Sequence, residues 1–541
     1  VAGEGKKSLA DRIEARNPKA GMALRFISNP DVVAQVVKGV RGSGFLKHRG
    51  VFSGLVELRA EQDPNKLGLI FDNGGAYPDD RLTYAQIAAN SLRLARGLRE
   101  RGLERGDKIA MVTRNHPEFI YALAACSMLG TVLVPIDPRA RGEKLTYQMV
   151  DSDARMVITT GDLEPEVAGA ARASDNPIEI LICLKPGDDE ALANKYHTIN
   201  EILERREVFG IDDRADDPNL PVQIIYTSGV TGNPKGVTLN SARNAMYCLL
   251  GWLVWDYQKD DILYTGLSLA HGNAQAVNLF PALSMGIPCV IGQRFTKSRI
   301  WDVCRKHGCT SFSLLGGMMS GIYNEPERDD DDINPVRKVI SAGTPQAIWE
   351  DFERRFGVKI LEWYGAIEGG LAFKPVGKGP LGSFGKPLPG LVDMKVVDED
   401  DNEVAPGVTG ELISRMITGT SVEYYKKRDA SEEKTRGGWL RSGDMVHSDE
   451  QGWLFFDYRK GGALRRAGDF IKPDLVEKVI GEHPDVSEVC VYGIPSSLGA
   501  PGESDLVAAV VPFQAGKLDP QSIFEAALKG LERNSVPSYI Q

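Results

Sequence analysis

The sequence predicts an α/β protein: a large N-terminal domain with parallel-rich sheets flanked by helices, a β-rich subdomain, and a small mobile α+β C-terminal domain. Two observations carry this. Short β-rich runs at Lys108–Val112, Met156–Thr159, Ile178–Ile182 and Val222–Tyr226 alternate with helical patterns such as Tyr84 to Arg101, whose Ile87, Leu92, Leu94 and Leu98 fall on one side. Alternation of that kind is how a chain builds parallel strands joined by crossover helices. After about residue 382 shorter strands and frequent glycines take over, as in Gly382–Pro387, Gly410–Leu412 and Gly452–Phe456.

The divisions follow from these textures. Residues 1–50 read as a helical extension broken at Asn29-Pro30 and Gly42-Ser43-Gly44, residues 51–458 as the large domain, and residues 459–541 as the small one. The joint is placed at Arg459-Lys460-Gly461-Gly462, because paired glycines restrict the backbone least. Beyond it Asp474–Glu482 reads as a helix and Val486–Tyr492 as a strand.

Composition narrows the class. With 64 Lys and Arg against 74 Asp and Glu, the net charge of −10 argues against a nucleic-acid binder, which needs a basic surface. Seven cysteines, an odd count without a C-x-x-C pair, argue against a disulfide framework or a structural zinc site and fit a reducing cytoplasm. The start, Val1 to Arg12, is charged and has no apolar leader segment. The uncharged run Phe119–Ile136 reaches the length of a membrane span, yet Gly130 interrupts it and a β-branched run closes it at Pro135. It reads as a buried helix followed by a buried strand. Lys38, Arg41, Lys47, His48 and Arg49 form a basic stretch, either a solvated surface or a peripheral membrane contact. A homodimer is compatible with the sequence but not indicated by it.

The chemistry is concentrated in Tyr226-Thr227-Ser228-Gly229-Val230-Thr231-Gly232-Asn233-Pro234-Lys235-Gly236, directly after an apolar strand. Glycines let successive N–H groups turn toward an anion, hydroxyls add donors, and Lys235 adds a point charge. It is not a Walker A loop, which needs Gly-Lys followed by Ser or Thr. The order of residues resembles the signature of the adenylate-forming superfamily: acyl-CoA synthetases, peptide-synthetase adenylation domains and firefly-type luciferases. Val230 replaces one hydroxyl of that pattern.

The resemblance covers roughly residues 55–541 and implies the following roles. Thr227, Ser228, Gly229, Thr231, Gly232 and Lys235 would grip the phosphates of ATP. Ala342, Gly343 and Thr344, in Ser341-Ala342-Gly343-Thr344-Pro345, would form the loop beside adenine. In Trp363-Tyr364-Gly365-Ala366-Ile367-Glu368-Gly369, Tyr364 would stack on the base and Glu368 would hold Mg²⁺. Ile367 stands where the family has a threonine. Asp444, in Ser442-Gly443-Asp444, would accept from the ribose hydroxyls, and Arg459 would contact ribose and phosphate. His271 would gate the carboxylate side of the pocket. Gly461 would serve as the hinge, and Arg465 to Gly468 would line the pantetheine tunnel of coenzyme A.

The joint and the Glu368-Gly369 pair resemble the fatty-acid transport protein and very-long-chain acyl-CoA synthetase branch; Val536-Pro537-Ser538-Tyr539 resembles crotonobetaine/carnitine-CoA ligases. No aspartate for a substrate ammonium lies between Ser268 and Gln275, which points to an acid without an α-amino group. Trp252, Trp255, Met318 and Met319 are candidates for an apolar acid site. The family's C-terminal lysine is expected about 20 residues beyond Val536-Pro537 by pattern alignment; the sequence ends at Gln541. The expected activity is acyl-CoA synthesis from a fatty or bulky apolar acid, ATP and CoA. Two alternatives are an adenylate-former that loads a carrier protein and a catalytically silent nucleotide- or acyl-binding protein, the latter suggested by Val230, Ile367 and the missing lysine.

Overall fold

The computed structural model describes residues 50–205, 210–227, 233–416, 420–460, 464–496, 502–512 and 518–541. The basic stretch from Lys38 to Arg49, the loop residues Ser228 to Gly232 and the glycine pair Gly461-Gly462 lie outside them.

The helix Tyr84–Glu100 starts where Thr83 and Gln86 close a reciprocal capping box: Thr83 N donates to Gln86 Oε1 at 2.8 Å and Gln86 N to Thr83 Oγ1 at 3.3 Å. Its stripe of Ile87, Leu94 and Leu98 is fully buried, with Leu92 packed at the margin. The uncharged run becomes the 13-residue helix Pro117–Leu129 and the strand Val132–Ile136. Pro117 begins the helix, where its missing N–H costs nothing, and Gly130 ends it at φ 71° in the left-handed region. Every residue of this helix is buried in the core. No helix among the described residues is long and apolar enough to cross a membrane.

Two large sheets organise the N-terminal domain. One has seven strands, in the order His197–Thr198, Glu179–Cys183, Ala154–Thr160, Lys108–Val112, Val132–Ile136, Pro221–Thr227 and Lys235–Asn240. All neighbours are parallel except the last pair. The other has 13 strands. Its parallel half holds Leu67–Asp72, Cys289–Gly292, Leu263–Thr265, Ser311–Leu315, Lys338–Ala342 and Lys359–Ala366. From Gly369–Lys374 onward it turns antiparallel, through Ser383–Pro387, Leu454–Arg459, Leu440–Ser448, Gly410–Met416 and Val392–Val397. The change of texture read after residue 382 is this antiparallel half.

The C-terminal region pairs the helix Pro473–Gly481 with an antiparallel ladder of Val486–Pro495 and Ser504–Pro512, joined in parallel by Tyr539–Ile540. Val476, Ile480, Leu506, Ile523 and Ala527 give it a core of its own.

Of the four residues expected at the acid site, Trp255 and Met319 are fully buried in the core instead. Trp255 packs edge-on against Trp363 at 5.2 Å between ring centres and donates its indole N–H to the Ala276 carbonyl at 3.1 Å. Truncating a ring so enclosed removes apolar contact and leaves a void. Trp255→Ala is expected to cost about 3–5 kcal/mol, read as a shift of the denaturant midpoint at unchanged slope.

Candidate active site

The carboxyl ends of the parallel strands in both sheets open on one cavity of about 2110 Å³. Asp137, Thr227, Gly266, Gln293, Leu315, Ala342 and Ala366, each at or just past such an end, all line it. Open α/β sheets bind ligands at this edge. Drug-sized ligands fill roughly 300–1,000 Å³, so the cavity has room for more than one small molecule. The described residues expected to hold nucleotide, metal and CoA line it, as does His271: Thr227, Lys235, His271, Ala342–Thr344, Trp363–Glu368, Asp444, Arg459, Arg465 and Gly468; of the four acid-site candidates, Met318 does.

On the phosphate side, the strands Pro221–Thr227 and Lys235–Asn240 pair with Thr227 directly opposite Lys235. The glycine- and hydroxyl-rich loop is thus the connection of an antiparallel hairpin. Lys235 Nζ lies 5.3 Å from the centre of the Tyr424 ring, a cation–π contact. The same Tyr424 donates its hydroxyl to Glu368 Oε1 at 3.0 Å. Tyr424 therefore links the loop lysine to the expected metal ligand.

Asp444 is the meeting point on the base side. The ladder of Leu440–Ser448 with Leu454–Arg459 sets Asp444 opposite Arg459, which explains their spacing in the sequence. Arg459 Nη1 donates to Asp444 Oδ1 at 2.6 Å, and Tyr364 Oη donates to Oδ2 at 2.6 Å. Tyr364 rests against Phe384, with ring centres 4.8 Å apart. The loop Ser341–Thr344 is held from below by Glu362. Gly343 N donates to its Oε1 at 2.5 Å, Thr344 N at 3.2 Å, and Thr344 Oγ1 donates to Oε2 at 2.5 Å. Gly343 has φ +77°, a conformation that suits glycine.

Ile367 takes an apolar part. It packs on the cluster of Ile225, Val237, Tyr424 and Leu440. A Cβ on Gly272 would come within 2.8 Å of Ile367 Cδ1, so a side chain there would require the end of Ile367 to shift.

Met246, Leu250, Leu267, Met318, Leu388 and Leu391 give the cavity an apolar part of its lining. His271 stands at the mouth, with Nε2 2.5 Å from Asp137 Oδ2. Burial works against the His271 proton, but the hydrogen bond and charge of Asp137 outweigh it and raise His271 above its usual range. Arg139 reaches from Asp137, Nε to Oδ1 at 3.0 Å, to Asp469 of the C-terminal region, Nη1 to Oδ2 at 3.1 Å. Lys144 makes a second bridge to Glu532 at 2.8 Å. These pairs hold the turn Arg465–Gly468 against the cavity. Gly468 N donates to Glu503 Oε1 at 2.9 Å, and a Cβ on Gly468 would sit 2.6 Å from Leu315 Cδ1.

The match to known families agrees with this geometry. The model for AMP-binding enzymes fits residues 56–425, and the AMP-binding enzyme C-terminal domain fits residues 475–541. The chain belongs to the AMP-binding enzymes. Indoleacetate–CoA ligase of Aromatoleum aromaticum is 27% identical over 493 residues, covering 90% of this chain and 92% of that protein. A medium/long-chain-fatty-acid–CoA ligase of Mycobacterium tuberculosis is 29% identical over 477 residues, covering 87% and 90%. Among solved structures, the amide bond synthetase of Marinactinospora thermotolerans superposes with a TM-score of 0.75 at 21% identity, covering 91% of this chain and 95% of that one. As an AMP-binding enzyme of the adenylate-forming kind, the chain activates a carboxylic acid at the expense of ATP.

Several site residues of this AMP-binding enzyme escaped the sequence reading: Asp137, Arg139, Glu362, Tyr424 and Asp469. Asp137 had a usable signal, since it follows a buried parallel strand at the edge where such sheets bind ligands. Glu362 had none, because an acidic residue inside a strand is ordinarily solvated. Here it is 2% exposed, and burial raises its carboxyl from 4.5 to about 7, with Thr344 and Gly343 pulling the other way. The folded chain thus holds this proton more tightly than the unfolded one. The stability it contributes is complete below about pH 4.5 and is lost as pH rises through 7. Glu362→Gln is expected to flatten that part of the melting-temperature profile. An unchanged slope in the variant would contradict the assignment.

Proposed function

We propose that this AMP-binding enzyme joins an apolar carboxylic acid to coenzyme A through an acyl-adenylate. The observation that carries the reading is continuity. Phosphate-side groups, a base-side loop, an apolar wall and the turn Arg465–Gly468 all face one cavity. The names of the CoA-ligase relatives support CoA as the acceptor, and the apolar wall supports a fatty or aromatic acid.

Each residue has a task that follows from its chemistry. In the first half-reaction the acid's carboxylate oxygen attacks the α-phosphorus and pyrophosphate departs. Lys235 offsets the charge on the phosphates, while Asp444 and Arg459 hold the ribose side. Positioning and charge neutralisation make up most of catalysis for such transfers. Glu368, fixed by Tyr424, presents a carboxylate oxygen to the cavity. That is the donor type a hard cation selects, and it fits Mg²⁺, which would neutralise the phosphate oxygens. In the second half-reaction the CoA thiol attacks the acyl carbonyl and AMP leaves. The turn Arg465–Gly468 borders the route by which the thiol arrives, and His271, whose pKa its pairing with Asp137 raises, lines the same cavity.

ATP–pyrophosphate exchange over a panel of fatty, aromatic and steroid acids tests the first step, and thioester formation with free CoA tests the second. Exchange with at least one apolar acid and a CoA thioester as product are expected. Exchange without a thioester would point to another acceptor, and no exchange with any acid would overturn the reading.

A second expectation concerns the pose of the C-terminal region. Arg139 and Asp469 are partly exposed, so their bridge contributes modestly. Arg139→Ala should slow thioester formation from preformed acyl-adenylate by about two- to five-fold in single-turnover assays, an effect of the size partly exposed pairs give.

A further inference from the structure

Lys434 ends the helix Arg428–Lys434 and was not anticipated as part of the site. It lines the main cavity, and also a small side pocket shared with Tyr364, Glu368, Ser442 and Arg459. Its ammonium donates to the Ser442 carbonyl at 3.3 Å and makes no salt bridge among the described residues. An ammonium carries three donors, so this contact uses a fraction of its capacity. The charges facing it are Glu368, Arg459, Asp444 and Glu411.

Each carboxylate facing Lys434 has another partner, and Glu411 accepts from Gly443 N at 3.1 Å. Asp444 is already paired with Arg459 at 2.6 Å. Glu368 takes the Tyr424 hydroxyl and is the residue suited to a divalent cation. Burial lowers the Lys434 pKa, with Arg459 adding to that effect and Glu368, Asp444 and Glu411 opposing it. A cation desolvated beside a cavity and lacking a paired anion is satisfied best by an anion that arrives with the ligand.

Building on the adenylation reading, we propose that Lys434 binds the phosphate groups of the nucleotide, as a second lysine beside Lys235. Both lysines adjoin the Tyr424–Glu368 pair, Lys235 across the Tyr424 ring and Lys434 beside the Glu368 carboxylate. They come from different parts of the chain, so the phosphate-side charge does not rest on the glycine-rich loop alone.

The alternative is a structural lysine that only props the Ser442 turn. Titration calorimetry of the 541-residue chain with Mg-ATP and with adenosine separates the two. Lys434→Gln keeps a donor for the Ser442 carbonyl and removes the charge; Lys434→Arg keeps the charge. Lys434→Gln is expected to weaken Mg-ATP by about ten- to a hundred-fold and to leave adenosine within about two-fold, the range a lost charge-assisted hydrogen bond gives. Lys434→Arg is expected to retain most of the ATP affinity. Unchanged ATP binding by Lys434→Gln, or an equal loss for both ligands, would overturn the proposal while leaving the adenylation reading intact. Failure of the unaltered chain to bind Mg-ATP would overturn both.

Discussion

The buried carboxylate of Asp444 is the constraint on which the site depends. It is 4% exposed, and a carboxylate so enclosed is tolerable only when its oxygens are met. Tyr364 and Arg459 meet them, each from a different strand. The junction ties the end of the parallel half of the 13-stranded sheet to its antiparallel half. Without it the Tyr364 ring and Arg459 would have no common anchor beside the cavity.

Much of this was legible from residue order. Strand positions such as Lys108–Val112 and the helix from Tyr84 came from periodicity, because burial on both faces of a parallel strand leaves an uninterrupted apolar run. The division of Phe119–Ile136 into helix and strand followed from Gly130 and Pro135. The motifs around Lys235, Tyr364 and Asp444 stood out because each packs glycine, hydroxyl and charge into a few consecutive positions. Their convergence on one cavity is a property of the sheets, which bring residues 227, 364 and 444 to the same edge.

What stayed hidden has a common physical cause. Glu362 and Tyr424 act through partners well removed in sequence, and each alone looks like an ordinary strand or loop residue. Glu362 gains its importance only when the Gly343–Thr344 loop folds over it. Trp255 and Met319 illustrate the converse. Both carry the apolar character an acid site requires, yet they are enclosed in the core. Composition alone cannot distinguish a large side chain that lines a cavity from one that supports the lining.

The contact between Gly272 and Ile367 has a consequence for how the site can vary. The terminal methyl of the isoleucine lies 2.8 Å from a would-be Cβ at 272, so a side chain there would have to displace it. A lineage that regained a small hydroxyl residue at 367 would open a gap over Gly272, and one that enlarged 272 first would meet a clash. The two positions, 95 apart in the chain, thus share one small space, and the shape of the cavity lining there is set by both together.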